Sequence, residues 1–430
     1  MPSESTAVGY EPSYYSASTQ IPPARPALQG SHDCEVAVIG GGLTGVSAAL
    51  HLAERGYRTV LLEARRIGWG ASGRNGGQVH HGYASGQAVL ERQLGREAAR
   101  QLWQLSQEAV ALLRHRIERH RIDCDLRSGL MLAALKPRHR RELQHWRNHL
   151  ARDCGYETTE WLEGKALREA LASPRYCAAL YDPGGAHLQP LDYVLGLARA
   201  ATEAGAELYE QSPVTALDSG PRPRLRTRTG TLRCRHLLLC GNAYLDRLAP
   251  AIRRKIMPVG TYLITTEPLG EDRAHALIPS GAAVSDIRFV LDYFRLSADH
   301  RLLFGGGVSY STLPPPGLAA LMRTRMLRVF PQLADVRVEH CWGGYVAITL
   351  NRAPHFGRLA DNVFFAHGFS GHGLALTGLA GQVLAEAVAG QAGRFDLFAR
   401  IRHRDFPGGA LLRTPLLMLA MTYYRLRDLL

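Results

Sequence analysis

Val38-Ile39-Gly40-Gly41-Gly42-Leu43-Thr44-Gly45 is the stretch that decides the fold of this chain. The apolar run before it, Cys34 to Ile39, reads as a short strand. After it, Leu43 to Arg55 reads as a helix with Val46, Ala49, Leu50 and Ala53 on one face. Gly56 ends that helix, and Thr59-Val60-Leu61-Leu62-Glu63 supplies a second strand. Between a strand and a helix the three spaced glycines have separate tasks. Gly40 permits a tight turn, Gly42 lets the backbone approach a pyrophosphate, and Gly45 lets helix and strand pack closely. The helix start offers free N–H groups and a positive dipole end to phosphates. Glu63 stands at the acidic position about 20 residues beyond the fingerprint, where a carboxylate accepts from ribose hydroxyls and disfavours a 2′-phosphate. The unit is therefore expected to hold a dinucleotide other than NADP. These residues alone do not choose between NAD and FAD.

Directly after the acidic strand comes Ala64-Arg65-Arg66-Ile67-Gly68-Trp69-Gly70-Ala71-Ser72-Gly73-Arg74-Asn75-Gly76-Gly77-Gln78. A nicotinamide dehydrogenase has no need of such a loop there. Its small residues can wrap a planar group and offer backbone N–H donors. Further along, Rossmann-like pieces occur near residues 33–78, 186–245 and 354–390, with sheet-like pieces between them. This order predicts two discontinuous domains with the ligand between them. One is nucleotide-binding, from segments 33–85, 186–255 and 346–400. The other carries substrate, from segments 86–185 and 256–345. Residues 1–32, rich in Ser, Tyr and Pro, read as an extended N-terminal arm, and 401–430 as a C-terminal tail helix.

Composition narrows the function classes. The chain has 430 residues, of which 46% are hydrophobic and 21% charged. The net charge is +13, and lysine occurs only at Lys136, Lys165 and Lys255, so the basic charge is nearly all arginine. No basic run is interleaved with aromatics, so no nucleic-acid partner is expected. The seven cysteines show no paired zinc spacing and no dense disulfide framework, which predicts no metal site and a reducing, cytoplasmic setting. The N-terminus lacks a secretory pattern, and no apolar stretch is long enough for a transmembrane span. The tail Thr414 to Tyr424 is the nearest approach and is too short.

Taken together, the loop Gly68 to Gln78, the runs Leu239 to Leu245 and Val290 to Ser297, and the tail Phe406 to Leu417 resemble the D-amino-acid-oxidase-type (DAO) FAD-dependent oxidoreductases. Within that family they are most similar to the gamma-glutamylputrescine oxidase branch, a relative of glycine and sarcosine oxidases. The resemblance implies an α/β fold in which a Rossmann-like FAD-binding domain is interleaved with an α+β substrate domain carrying an antiparallel sheet. It implies FAD on Gly40, Gly42, Leu43, Thr44 and Gly45, with Glu63, Ala64 and Arg65 at the adenosine ribose. It puts Ser72, Gly73, Arg74, Asn75, Gly76, Gly77 and Gln78 along the pyrophosphate and ring. It puts Val214, Gly241 and Asn242 at the adenosine half. The run Ala366 to Thr377 matches the family loop under the flavin pyrimidine, with Gly368, Ser370, Gly371, Gly373, Leu374 and Thr377 as contacts.

Such enzymes take a hydride from a carbon bearing an amine, and the imine then hydrolyses. O2 or an electron carrier is the expected acceptor, because Gly305-Gly306-Gly307-Val308-Ser309-Tyr310 lacks the third glycine of a second nucleotide fingerprint. Non-covalent FAD is expected: Val346 stands where the sarcosine oxidase branch has its linking cysteine, and Cys341 is offset from it. His372, with a packing or surface role as its alternative, and His80 and His81 are the candidate catalytic residues. Tyr293, Arg295, Tyr262 and Trp342 are candidates for the substrate wall. Tyr293 and Arg295, two apart, sit on one face of a strand, and Arg295 is placed either to meet a substrate carboxylate or to be a solvated strand charge; Trp342 suits a core role as well. Two further readings stay open: an amine or amino-acid dehydrogenase of the same family, and a flavin-binding subunit with little turnover. The oligomeric state is not legible.

Overall fold

The strand Val36–Ile39 is buried at every position, as a parallel strand covered on both faces must be. It lies fourth in a six-stranded sheet ordered His355–Ala360, Val363–His367, His236–Leu239, Val36–Ile39, Thr59–Leu62, Glu207–Tyr209. All neighbours are parallel except the first pair. The computed structural model describes residues 9–245, 248–309 and 315–407. Most of the tail expected over 401–430 therefore lies outside the described residues.

The helix Leu43–Glu54 leaves Gly42 with eleven of its twelve residues buried. It is covered by Pro190–Glu203 and by Gly373–Val388. The second contact is close: a Cβ on Gly381 would stand 2.5 Å from the backbone nitrogen of Ala48. The fingerprint helix is thus held in the core by two helices from later in the chain.

A second, nine-stranded sheet forms the other wall. Its main path runs Val338–Thr349, Ile256–Thr266, Leu302–Ser309, Asp292–Leu296, Ala283–Asp286, Arg127–Ala134, Ala178–His187, Gln78–Val79, with Glu160–Glu163 also pairing with Ala178–His187. Every pairing is antiparallel except that of Ala283–Asp286 with Arg127–Ala134. Gln78–Val79, grouped by sequence with the nucleotide unit, is in this sheet, so the loop over residues 64–78 runs straight into it. Gly305, Gly306 and Gly307 lie inside the strand Leu302–Ser309 and open no helix.

Residues 9–32 differ from an extended arm. Tyr14–Ser18 is a short helix capped by Ser13, and Tyr14 and Tyr15 are buried. Gly30–Asp33 is a strand paired with Gly230–Arg233. The absence of a hydrophobic period had hidden this, because order here comes from single tyrosines rather than a face. All seven cysteines are free thiols. Among the described residues no group suits a metal ion, and no single helix is long and apolar enough to cross a membrane.

Candidate active site

Between the two sheets lies a cavity of about 1050 Å³. One half is walled by backbone. Gly40 has φ +108, and a Cβ there would stand 2.9 Å from the carbonyl of Cys240. A Cβ on Gly45 would stand 1.9 Å from Gly40 O, and one on Gly42 would stand 2.8 Å from Ser72 Oγ. The turn closes only with glycine at these places. Ser72 Oγ accepts from Leu43 N at 2.9 Å, pinning the 64–78 loop to the helix start. Glu63 accepts from Gly41 N at 2.6 Å and from Arg65 N at 2.8 Å. Burial pushes its carboxyl above the usual range, the two N–H donors opposing.

The loop beneath is coupled to this wall. Asn242, at φ +48, accepts from Gly368 N on its Oδ1 at 3.1 Å. Ser370, at φ +55, accepts from Thr349 N on its hydroxyl at 3.2 Å. The helix Gly373–Val388 then begins without a side-chain cap, leaving its first N–H groups to whatever fills the cavity.

The other half is walled by side chains. Gln78 donates to Val284 O at 2.9 Å, so its Oε1 faces Ser285 Oγ at 2.5 Å and His80 Nε2 at 3.2 Å. That oxygen only accepts, which places the His80 proton on Nε2. The His80 and His372 rings lie 4.6 Å apart. Burial holds His80 well below the usual imidazole range and His372 at about 4, so both are neutral near pH 7. Beside them His81 Nδ1 lies 2.9 Å from Asp182 Oδ2, and Tyr156 donates to Asp182 Oδ1 at 2.6 Å. Burial works to raise the Asp182 carboxyl, but the bonds from His81 and Tyr156 prevail and hold it below the usual range. His81 Nδ1 thus faces the Asp182 carboxylate, with the Tyr156 hydroxyl 3.2 Å from the same nitrogen. Tyr293 packs its ring between Gly76 and Gly305, where a Cβ would stand 2.5 and 2.1 Å away.

This architecture has counterparts. A model of the family described as FAD dependent oxidoreductase (DAO) matches residues 35–387. The chain belongs to that family. It is 42% identical to the gamma-glutamylputrescine oxidoreductase of Escherichia coli over 97% of this chain and 98% of that one. It is 38% identical to a probable oxidoreductase of Haemophilus influenzae, over 97% of each. Its fold matches the crystal structure of glycine oxidase from Geobacillus kaustophilus with a TM-score of 0.73 at 23% identity, over 87% of this chain and all of that one.

FAD is thus the dinucleotide of the family, and the cavity fits it: the close glycines, the uncapped helix start and the Glu63 carboxylate lie along one continuous wall. Gly40, Gly42, Leu43, Thr44, Glu63, Ala64, Arg65, Ser72, Asn75, Gly76, Gln78, Val214, Gly241, Asn242, Ser370, Gly371, Gly373, Leu374 and Thr377 line the cavity, as do His80, His81, His372 and Tyr293. Gly45, Gly73, Gly77 and Gly368 lie behind that lining and shape it through their backbone.

Several expectations are corrected. Arg74 also lies behind the lining, its Nε donating to Trp69 O at 2.7 Å and its guanidinium 4.1 Å from the Trp69 ring. Arg295 meets neither solvent nor cavity: it is 1% exposed and bonded to Gly76 O at 2.9 Å. Tyr262 packs over Gly343 in the core of the second sheet. Trp342 takes the core role, donating from Nε1 to Arg74 O at 3.1 Å. Alternation along a strand assigned Arg295 to a face but did not reveal that the face was filled. Asp182 and Tyr156 were missed. A single carboxylate in a strand and a single tyrosine in a loop have no local signature, and only the tertiary fold brings them to His81.

Proposed function

We propose that this chain oxidises the amine-bearing carbon of a small amine of the gamma-glutamylputrescine kind and passes the electrons to O2. The observation that carries the reading is the side-chain half of the cavity. Two neutral imidazoles and a carboxylate-oriented His81 stand in the same cavity as the cofactor wall. When bound, FAD supplies the hydride acceptor.

An alkylamine arrives as an ammonium, and only the neutral amine can release hydride from its carbon. His81 is oriented to take that proton on Nε2 because Asp182 holds the proton on Nδ1. His80 and His372, both neutral, add no repulsion to an incoming cation. Tyr293 and Phe289 supply apolar wall for a methylene chain. The substrate class follows the Escherichia coli relative, which is named a gamma-glutamylputrescine oxidoreductase.

Non-covalent FAD is supported by the place of Cys341, which lies outside the cavity lining. Cys240 does line it, but at the fingerprint turn, where burial pushes its thiol up to about 12. O2 as acceptor is supported by Gly305–Gly307 lying within a strand, with no second nucleotide turn there. The reading places the enzyme in the cytoplasm. The test is peroxide release during turnover, with a substrate panel of gamma-glutamylputrescine, putrescine, sarcosine and glycine. Peroxide in step with gamma-glutamylputrescine consumption is expected. Reduction without peroxide would make the chain a dehydrogenase, and faster turnover of sarcosine would defeat the substrate class.

A further inference from the structure

Residues 10–28 line no part of the cavity, yet they are fastened to both ends of the loop that does. At one end the Tyr10 hydroxyl donates to Ile67 O at 2.7 Å, and Arg66 donates to Pro22 O at 2.7 Å. The buried Glu210 joins strap and loop there. It accepts from Arg25 N at 2.8 Å and from Ile67 N at 2.7 Å, and pairs with Arg66 Nε at 2.8 Å.

At the other end Tyr15, fully buried, donates to Asn75 O at 2.9 Å. The Arg295 guanidinium donates from Nε to Gly76 O at 2.9 Å, from Nη1 to Leu296 O at 3.3 Å and from Nη2 to the Tyr15 hydroxyl at 3.3 Å. Among the described residues its hydrogen-bond partners are thus two carbonyls and a phenol. The turn between is tight. Asn75 Oδ1 accepts from Gly77 N at 2.8 Å, and Gly77, at φ +75, would place a Cβ 2.9 Å from Arg295 Nε.

A glycine-rich loop has much conformational freedom to lose, and a ligand that must order it binds more weakly. Here the order is supplied beforehand, from the side away from the ligand. We propose that Tyr10 to Leu28 is a strap that preorganises the 64–78 loop for FAD, with Tyr15 and Arg295 as positioning residues at its Asn75–Gly77 end. The inference rests on the reading that this cavity holds FAD.

The test is FAD titration of deflavinated full-length chain, wild type against Y15F, R295M, R295K and Y10F. Circular dichroism of each apoprotein and its rate of tryptic cleavage after Arg65 and Arg74 accompany it. Y15F keeps the ring and loses both hydroxyl bonds; R295K keeps the charge and loses the fork. The FAD dissociation constant should rise about 5- to 10-fold in Y15F and further in R295M, with R295K between wild type and R295M. Cleavage should quicken in the same order, with circular dichroism unchanged. If R295M fails to fold, Y15F and R295K carry the test. Unchanged dissociation constants and cleavage rates in Y15F and R295K would overturn the strap. Wild-type apoprotein that takes up no FAD would instead overturn the cofactor reading beneath it.

Discussion

The cofactor wall and the proposed amine wall of the cavity are built in opposite ways. The first is mostly backbone: Gly40, Gly42 and Gly45 make contacts that no side chain could replace, and they come from one short run. The second is mostly side chain: His80, His81, Tyr156, Asp182, Tyr293 and His372 come from five separate stretches. Backbone geometry tolerates little change and suits a ligand common to a family. Side chains can be exchanged one at a time, which is how one fold serves several amines.

The sharpest way to break this contrast is on the cofactor wall. G45A would drive a methyl into Gly40 O. An overpacked core typically costs about 1–3 kcal/mol, and here it falls on the turn itself. Flavin content after purification should drop at least tenfold. Full flavin content in G45A would show that the turn is looser than its contacts imply.

On the amine wall, D182N keeps the shape and removes the charge that orients His81. We expect kcat/KM for the amine to fall about tenfold or more, with flavin content unchanged. A loss of flavin in D182N would blur the division between the walls. Unchanged kinetics would remove His81 and Asp182 from the reaction.

A smaller effect concerns the strand that leads into the loop under the cofactor. His355 Nδ1 lies 2.8 Å from His367 Nε2, and the His403 ring is 4.3 Å from that of His355. Burial depresses all three, to about 2, 3 and 4 for His355, His367 and His403, and for His355 the two neighbouring imidazoles add to it. Unfolded histidine titrates near 6.5. Below that pH the unfolded chain binds protons that the folded chain refuses, so stability falls as pH drops from about 6.5 towards 4. Melting temperature should fall by about 5 °C or more between pH 7 and pH 5, and H403N should flatten the curve. A flat curve in the parent chain would contradict the burial of the three rings.

The same contrast explains what was legible in the sequence. The cofactor wall could be read because its residues are contiguous and its glycines are spaced by the geometry of a strand-to-helix turn. The loop Gly68 to Gln78 was legible for the same reason. Asp182 was not, because its partner His81 is brought to it only by the pairing of Gln78–Val79 with Ala178–His187. Arg295 lies on the strand Asp292–Leu296, but its neighbour Tyr15 comes from a segment with no period to announce it. Tyr14 and Tyr15 read as part of an extended arm because two buried tyrosines leave no pattern.

If the amine wall, not the cofactor wall, selects the substrate, anaerobic stopped-flow mixing will show it in the bleaching of the flavin absorbance of wild-type protein. Bleaching should be rapid with gamma-glutamylputrescine and much slower with glycine and sarcosine, and D182N should lose the fast phase. Equal bleaching rates across the panel, or no bleaching by any amine in fully flavinated protein, would contradict it.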